Sequence, residues 1–309
     1  MGRGQLKIRV GTRGSRLALA QTKTVVDALS AKVAGLEFQV VTIKTLGDRL
    51  PPEKRGETDG KGAFTDDIES HLLRGDIDMA VHSLKDVSAE LGAGLKLAAT
   101  PARGDPRDAL VPAGGLGFEG LPEGARIGTS SIRRRVQLVK LRRDLRMVEL
   151  HGNVETRISK LARLGLDGVV LAAAGLDRLS LGERARERFE PEVLVPAAGQ
   201  GTLAVEVREG DSKTETIASK INDEATMRAS ECERAFVRVV GGDCSFPVGA
   251  YASTNGGRSI ALTGIVASTD GARFLKRKMS ATDAEGLGRT LAEEMLQLGG
   301  AAILRSCAT

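Results

Sequence analysis

The fold is decided by a short stretch near the amino terminus, residues 8–15, which read IRVGTRGS. Its apolar start is typical of a strand, and the Gly-Thr turn and serine that follow are typical of the beginning of a helix. The same plan returns at residues 125–131, ARIGTSS, again before a helical pattern. Residues 166–172 likewise repeat the apolar pattern of residues 77–81. These echoes predict two related α/β halves, with chance similarity of short matches as the alternative.

Two crossing segments join the predicted halves. Residues 100–112 contain three prolines, and residues 195–203 contain Pro196, Gly199 and Gly201. They predict hinges in a chain that leaves the first half, builds the second and returns. Proteins of this plan bind ligands in the cleft between the halves. We therefore predict an α/β fold with two hinged periplasmic-binding-protein-like domains and a cleft between them.

The pattern changes after about Asn222. A helix, three strands joined by hairpin-type turns at 255–257 and 270–271, and a closing helix predict a small α+β carboxy-terminal domain. The predicted domains are therefore residues 1–101 with 202–220, residues 107–195, and residues 223–309.

The composition restricts the class of protein. Cys232, Cys244 and Cys307 are odd in number and scattered along the 309 residues, which argues against a disulfide framework and for a reducing compartment. None has metal-ligand spacing with the three histidines. The sequence shows no apolar leader and no apolar run of membrane-spanning length. We expect a cytoplasmic protein with no bound metal and no membrane association.

Both repeated stretches are candidate anion sites. The start of a helix offers unpaired N–H groups and the positive end of its dipole, and arginine beside it suits carboxylate or phosphate. Arg13 accompanies the first stretch, and Arg133 and Arg134 accompany the second. The alternative for Ser131 is a simple helix N-cap.

The net charge of +5 is unevenly distributed. Residues 131–146 hold seven arginines or lysines against one aspartate, which indicates an anionic partner. No aromatic residues interrupt this segment for base stacking, so a small polyanion competes with nucleic acid as the partner.

Three further groups are candidates for binding or chemistry. Lys85 and Asp86 end an apolar strand, where α/β sheets place functional groups, and a carboxylate there can transfer protons. Cys244 lies between a diglycine turn and Pro247, so its sulfur can project from the loop. Arg157 lies in the helix after HGNVETR (151–157) and could reach the cleft. Each group also has a purely structural alternative. Lys85 and Asp86 would be an exposed ion pair, Cys244 a buried apolar side chain, and Arg157 a charged residue on the helix surface.

These motifs together resemble the porphobilinogen deaminase family. They occur in family order across nearly the whole chain: TRGSRLAL (12–19), GKGAF (60–64), VHSLKD (81–86), DPRD (105–108), GTSSIRR (128–134), GNV (152–154) with Arg157, AGQG (198–201) and the Cys244 loop. The resemblance implies a transferase of tetrapyrrole (haem, chlorophyll, cobalamin) biosynthesis. Such an enzyme joins four porphobilinogen molecules head to tail with loss of ammonia and releases the linear tetrapyrrole hydroxymethylbilane. It also implies a monomer.

The resemblance further implies a covalent cofactor. The family builds its product on one dipyrromethane per chain, held by a thioether to a loop cysteine that matches Cys244. A thiolate is a suitable nucleophile for the electrophilic pyrrole methylene carbon. The growing polypyrrole carries acetate and propionate groups, so it is a polyanion that fits a basic cleft.

The resemblance also assigns the site residues. Asp86 matches the catalytic carboxylate, Gln200 would lie at the hinge side of the cleft, and Lys61 and Phe64 would belong to a lid loop. The residues that would hold the cofactor and substrate are Arg13, Ser15, Ser83, Lys85, Thr129, Ser130, Ser131, Arg133, Arg134, His151, Gly152 and Arg157.

Two departures from the family keep other readings open. His151 replaces the usual arginine before Gly-Asn-Val, and Asp243 stands where glycine is common before the cysteine. A catalytically inactive relative is therefore one alternative. A solute-binding receptor and a nucleic-acid-binding protein are the others, and strong salt-dependent DNA affinity would favour the last.

The change His151→Arg tests the first departure. Histidine is shorter than arginine and changes charge near neutral pH, so binding of a carboxylate there should be weaker and more pH-dependent. We expect His151→Arg to lower the Michaelis constant for porphobilinogen and flatten its pH profile. An unchanged constant and profile would contradict this interpretation.

Overall fold

A computed structural model describes residues 6–49, 64–241, 246–254 and 257–307. The chain forms two compact units, Met1–Gly104 with Thr202–Met227 and Asp105–Gly201 with Arg228–Thr309. Two of the boundaries fall within the predicted crossing segments, residues 100–112 and 195–203. The finer division into three domains stays a prediction.

The strands and helices alternate through most of the chain. The strands are β1 (Leu6–Arg13), β2 (Leu36–Ile43), β3 (Met79–Ser83), β4 (Leu95–Ala99), β5 (Asp108–Pro112), β6 (Arg126–Gly128), β7 (Arg146–Val148), β8 (Gly168–Ala172), β9 (Glu187–Phe189), β10 (Leu203–Arg208), β11 (Val248–Thr254), β12 (Ile260–Ala267) and β13 (Phe274–Ala281). The helices are α1 (Arg16–Lys32), α2 (Leu46–Arg49), α3 (Asp66–Leu73), α4 (Ile132–Leu141), α5 (Val154–Arg163), α6 (Ala173–Arg178), α7 (Ser212–Ser219), α8 (Glu224–Val240), α9 (Ala284–Met295) and α10 (Ala301–Arg305). Within the described ranges, none of these helices has the length and apolar character needed to cross a membrane.

The two α/β sheets share one topology. The first has the order β2-β1-β3-β10-β4, and the second has the order β7-β6-β8-β5-β9. In each, the strand that carries the glycine of the repeated stretch, β1 or β6, lies parallel to both neighbours, and the fourth strand runs antiparallel. The predicted echo and the predicted α/β fold class are therefore confirmed.

The same steric reason requires glycine in each repeated stretch. A Cβ at Gly11 would lie 2.3 Å from the side chain of Ile77, and one at Gly128 would lie 2.8 Å from that of Leu150. Both strands therefore need glycine so that apolar side chains can pack across their ends.

Two strand predictions need correction. The apolar pattern of residues 6–10 predicts a strand that ends at Val10, but β1 continues to Arg13 because its pairing with β2 continues as far as Ile43. The apolar pattern of residues 77–81 predicts a strand that stops before His82, but β3 covers residues 79–83 because its pairing with β10 reaches Ser83. His82 and Ser83 thus belong to the strand.

The carboxy-terminal part forms the predicted antiparallel sheet, β11-β12-β13. Phe236 of α8, Leu262 of β12, and Leu291 and Met295 of α9 are buried together in its core. The sequence pattern predicts the final helix over residues 284–298, but α9 ends at Met295 and a π-helical turn precedes α10. Gly299 causes the break, because its φ of +108° lies outside the helical region.

Gly288→Ala tests the close packing of α9 on α8. A Cβ there would lie 2.3 Å from the carbonyl oxygen of Cys232. Helix propensity alone predicts stabilisation by about 1 kcal/mol, whereas overpacking predicts a loss of about 1–3 kcal/mol. We expect a lower melting temperature. Gly114→Ala is the control, because its Cβ would meet no atom within 4 Å; equal melting temperatures would contradict the prediction.

Candidate functional site

The starts of α1 and α4 are the two predicted anion sites. Ser15 caps α1 by accepting a hydrogen bond from the N–H of Ala18 at 3.2 Å, and Ser131 caps α4 by accepting one from Arg134 at 3.4 Å. The alternative reading of Ser131 as an N-cap is thus confirmed. Neither helix has an acidic residue in its first turn, unlike α3, α5, α7 and α9. The positive ends of α1 and α4 therefore remain available to an anion.

Arg13 at the end of β1 has two neighbours in the first unit. Its guanidinium binds the Asp48 carboxylate at 2.6 Å and lies 4.1 Å from the centre of the Phe64 ring. Burial opposes ionisation of Asp48, but the hydrogen bonds and charge of Arg13 outweigh it and lower the pKa of that carboxyl. Arg13 and Phe64, both predicted site residues, thus lie together, whereas Asp48 was not predicted. Lys61 lies outside the described residues.

The end of β3 carries the next predicted group. Ser83 exchanges hydrogen bonds with the side chain of Gln21, at 2.8 and 3.2 Å. A 3₁₀ turn, Leu84–Asp86, follows. Within this turn Lys85 is half-buried and Asp86 is exposed, so the candidate carboxylate is open to reactants.

Arg133 and Arg134 converge on a buried carboxylate in the second unit. Each forms an ion pair with Asp108, at 2.8 and 2.7 Å, and Asp108 has no exposed surface. Burial alone would raise the pKa of this carboxyl, but the two guanidinium charges and their hydrogen bonds hold it well below its usual range. Gln200 completes the cluster by donating to Asp108 at 2.9 Å. The role of these residues in ligand binding stays a prediction.

Arg157 and Arg178 are half-buried cations of a different kind. Burial lowers the pKa of both guanidinium groups to about 10, and the charge of Arg134 adds to the effect at Arg157. Arg157 donates to the hydroxyl of Ser130 at 3.1 Å, but its buried Nε has no partner. Arg178 donates to the carbonyl of Gly201. Among the described carboxylates, none forms an ion pair with either residue, although the charge of Asp177 partly offsets the effect of burial at Arg178.

Sequence reasoning selected Arg157 but missed Arg178. The latter lies at the end of α6, where a basic residue is ordinary, so no local pattern marks it. Thr129, also selected, is buried and accepts a hydrogen bond from the N–H of Ser131 at 3.1 Å.

His151 and Gly152 occupy the turn before α5. The His151 ring contacts the exposed carboxylate of Glu149 at 2.8 Å. Gly152 has a φ of +124°, which disfavours any other residue. The structure therefore gives His151 a partner in its own unit, and anion binding there stays a prediction.

Cys244, the predicted attachment point, lies outside the described residues. Cys232 is fully buried in α8, and burial, with Glu233 and Asp283, raises the pKa of its thiol to about 12. It is therefore a thiol at neutral pH and a poor nucleophile.

Capped helix starts without acidic residues and half-buried arginines without ion pairs are features of an α/β protein suited to an anionic ligand. The family model for the porphobilinogen deaminase dipyromethane cofactor binding domain matches residues 8–216, and the model for the porphobilinogen deaminase C-terminal domain matches residues 227–297. The chain belongs to the porphobilinogen deaminase family.

Individual relatives agree with this family. The porphobilinogen deaminase of Exiguobacterium sp. strain AT1b is 42% identical over 97% of this chain and 98% of its own length. That of Rubrobacter xylanophilus is 46% identical over 96% of each chain. Among solved structures, a TRAP periplasmic solute-binding protein from Desulfovibrio salexigens has a TM-score of 0.43 at 11% identity, covering 71% of this chain and 73% of that chain.

Asp108→Asn tests the buried cluster. It leaves two buried guanidinium groups without their counter-charge, which should cost about 3–5 kcal/mol at pH 7. Because folding lowers the pKa of Asp108, its stabilisation is fully present above about pH 4 and is lost as the pH falls further. We expect the difference in urea midpoint between wild type and variant to narrow from pH 7 to pH 3.

The control is Asp144→Asn, which removes a carboxylate paired with Arg142 near the surface. It should shift the midpoint much less. Equal shifts for the two variants, or an Asp108→Asn difference that widens in acid, would contradict the assignment.

Proposed function

We propose that this chain polymerises four porphobilinogen molecules head to tail, releasing ammonia, to give hydroxymethylbilane. The observation that carries the proposal is a pair of half-buried arginines, Arg157 and Arg178, that form no ion pair among the described residues of a member of this family. Porphobilinogen carries one acetate and one propionate, and each carboxylate can take two hydrogen bonds from a guanidinium group. A buried guanidinium binds such a carboxylate more strongly than an exposed one does.

The residues present fit a dipyrromethane cofactor. Its carboxylates match the unpartnered buried Nε of Arg157 and the positive end of α4, whose first turn has no acidic residue. Cys244 would hold the group through a thioether. When bound, dipyrromethane supplies the pyrrole carbon to which the incoming unit is added.

The side chains around the two helix starts would bind and orient the substrate. In the first unit these are Arg13, Ser15, Ser83 and Lys85. In the second unit they are Thr129, Ser130, Ser131, Arg133, Arg134, His151, Gly152, Arg157 and Gln200. Their common feature is a donor group or a positive charge, as carboxylate recognition requires.

Asp86 is the proposed catalytic residue. The C–N bond of porphobilinogen breaks as ammonia leaves, and the positive charge that develops spreads over the pyrrole ring. A carboxylate stabilises this charge better than an imidazole can, because it is an anion. Asp86 would then receive the proton that the pyrrole carbon loses once the new C–C bond has formed. Its exposure in the 3₁₀ turn supports contact with a reactant.

The proposal extends to the organisation of the enzyme. Lys61 and Phe64 would belong to a lid, and Phe64 is supported by its contact with Arg13. The scattered cysteines support a cytoplasmic location. Membership of the family supports a monomer, and the crossing segments support domains at 1–101 with 202–220, 107–195 and 223–309.

Intact mass of the purified protein tests the proposal. We expect the wild type to carry an excess mass of two linked pyrrole units, to react with Ehrlich's reagent and to consume porphobilinogen. Cys244→Ser should lack all three properties, because serine is a much weaker nucleophile than a thiolate.

Cys307→Ser is the matched control, because this partly buried cysteine lies at the carboxy terminus and should be irrelevant to loading. A wild type that stays unmodified after incubation with porphobilinogen would overturn the proposal. Retention of the excess mass in Cys244→Ser would overturn the attachment point.

A further inference from the structure

A buried histidine and a buried glutamate form a pair close in sequence to the turn that carries the proposed catalytic residue. His82 is on β3, four residues before Asp86, and its Nε2 is 3.1 Å from Oε2 of Glu206 on β10. The two side chains are 3% and 0% exposed. Neither has a role in the function proposed above, because neither can reach a solvent-borne substrate.

The pair secures the end of β3 from one face of the sheet. Successive side chains of a strand point to opposite faces, so His82 and Ser83 leave β3 in opposite directions. His82 is held by Glu206, and Ser83 is held by Gln21 of α1 at 2.8 Å. The backbone is held as well, since the N–H of Leu84 donates to the carbonyl of Thr202 at 3.0 Å. The turn that carries Lys85 and Asp86 thus starts from a strand end fixed on both faces.

The His82–Glu206 pair has two features that the stability of the fold does not require. The second oxygen of Glu206, Oε1, is buried without a hydrogen-bond partner. The pairing of β10 with β4 also shifts register between Val205 and Glu206, and such irregularities re-aim side chains beside functional sites. Apolar side chains of similar size would fill this space without leaving a buried carboxylate oxygen unpaired.

A second carboxyl group adds to the same environment. Burial raises the pKa of Glu69 on α3, the charge of Glu206 raises it further, and His82 acts in the opposite direction. The charge of the buried pair is therefore felt by a neighbouring carboxyl group on another element.

We propose that His82 and Glu206 are positioning residues that hold the β3 end and thereby set the place of Asp86 in the reaction. The inference rests on the proposed function and adds a requirement for this buried pair. Displacement of a catalytic group by about 1 Å can cost about 100-fold in rate. Loss of the pair should therefore lower kcat far more than it changes substrate binding.

The decisive variant is the double substitution His82→Leu with Glu206→Leu. It removes both polar groups together, so no unpaired charge is left in the interior. We expect it to fold and to carry the two-pyrrole mass, with kcat lower by about 100-fold and the Michaelis constant within about twofold of wild type. His82→Gln keeps a donor for Glu206 and should recover most of the lost kcat.

His71→Gln is the matched control. This histidine on α3 also contacts a carboxylate, Asp76, at 2.9 Å, but the pair is exposed and distant in sequence from the turn. We expect wild-type kinetics.

The possible results separate the two proposals. A double variant with wild-type kcat, one that does not fold, or one that loses kcat without any recovery in His82→Gln would overturn the positioning role. A wild type that forms no hydroxymethylbilane would overturn the proposed function itself.

Discussion

The structure depends on one buried carboxylate, Asp108, and on the two arginines that neutralise it. Taking an ion of this size out of water costs several kcal/mol, so the group is tolerable only with charge partners and full hydrogen bonding. Arg133 and Arg134 supply the charge, and Gln200 adds a further donor. These residues come from β5, α4 and the segment before β10, so one ion cluster fixes three parts of the chain that are distant in sequence.

This cluster distinguishes two pairs among the arginines of the second unit. Arg133 and Arg134 form ion pairs with a carboxylate, whereas Arg157 and Arg178 are partly desolvated and form none among the described residues. The second pair is therefore better suited to an incoming anion, because desolvation increases the attraction that a carboxylate would feel. The basic segment at 131–146 is therefore less of a continuous charged face than its composition indicates, because two of its cations are directed inward.

Much of this arrangement could be predicted from the sequence, because it is local. The two echoed strand-turn-helix stretches, the caps at Ser15 and Ser131, and the antiparallel carboxy-terminal sheet all follow from neighbouring residues. Pairings across long separations could not be predicted. Asp108 is 25 residues from Arg133 in a segment predicted to be a hinge, and Asp48 is 35 residues from Arg13. The sequence pattern placed His82 beyond the end of its strand, since nothing in its surroundings shows that β3 pairs with a strand more than 120 residues later.

The position in the sequence of the fourth strand of each sheet has a consequence for folding during synthesis. All strands of the second sheet lie between residues 108 and 189, so that sheet can form from one continuous stretch of nascent chain. The first sheet needs β10, which ends at Arg208, before its central strand β3 has both neighbours. Domains that form during synthesis usually do so from the amino terminus onward. In this chain the order is reversed. The first sheet, although most of its strands are synthesised first, keeps one side of β3 unpaired until the second sheet and then β10 have been synthesised.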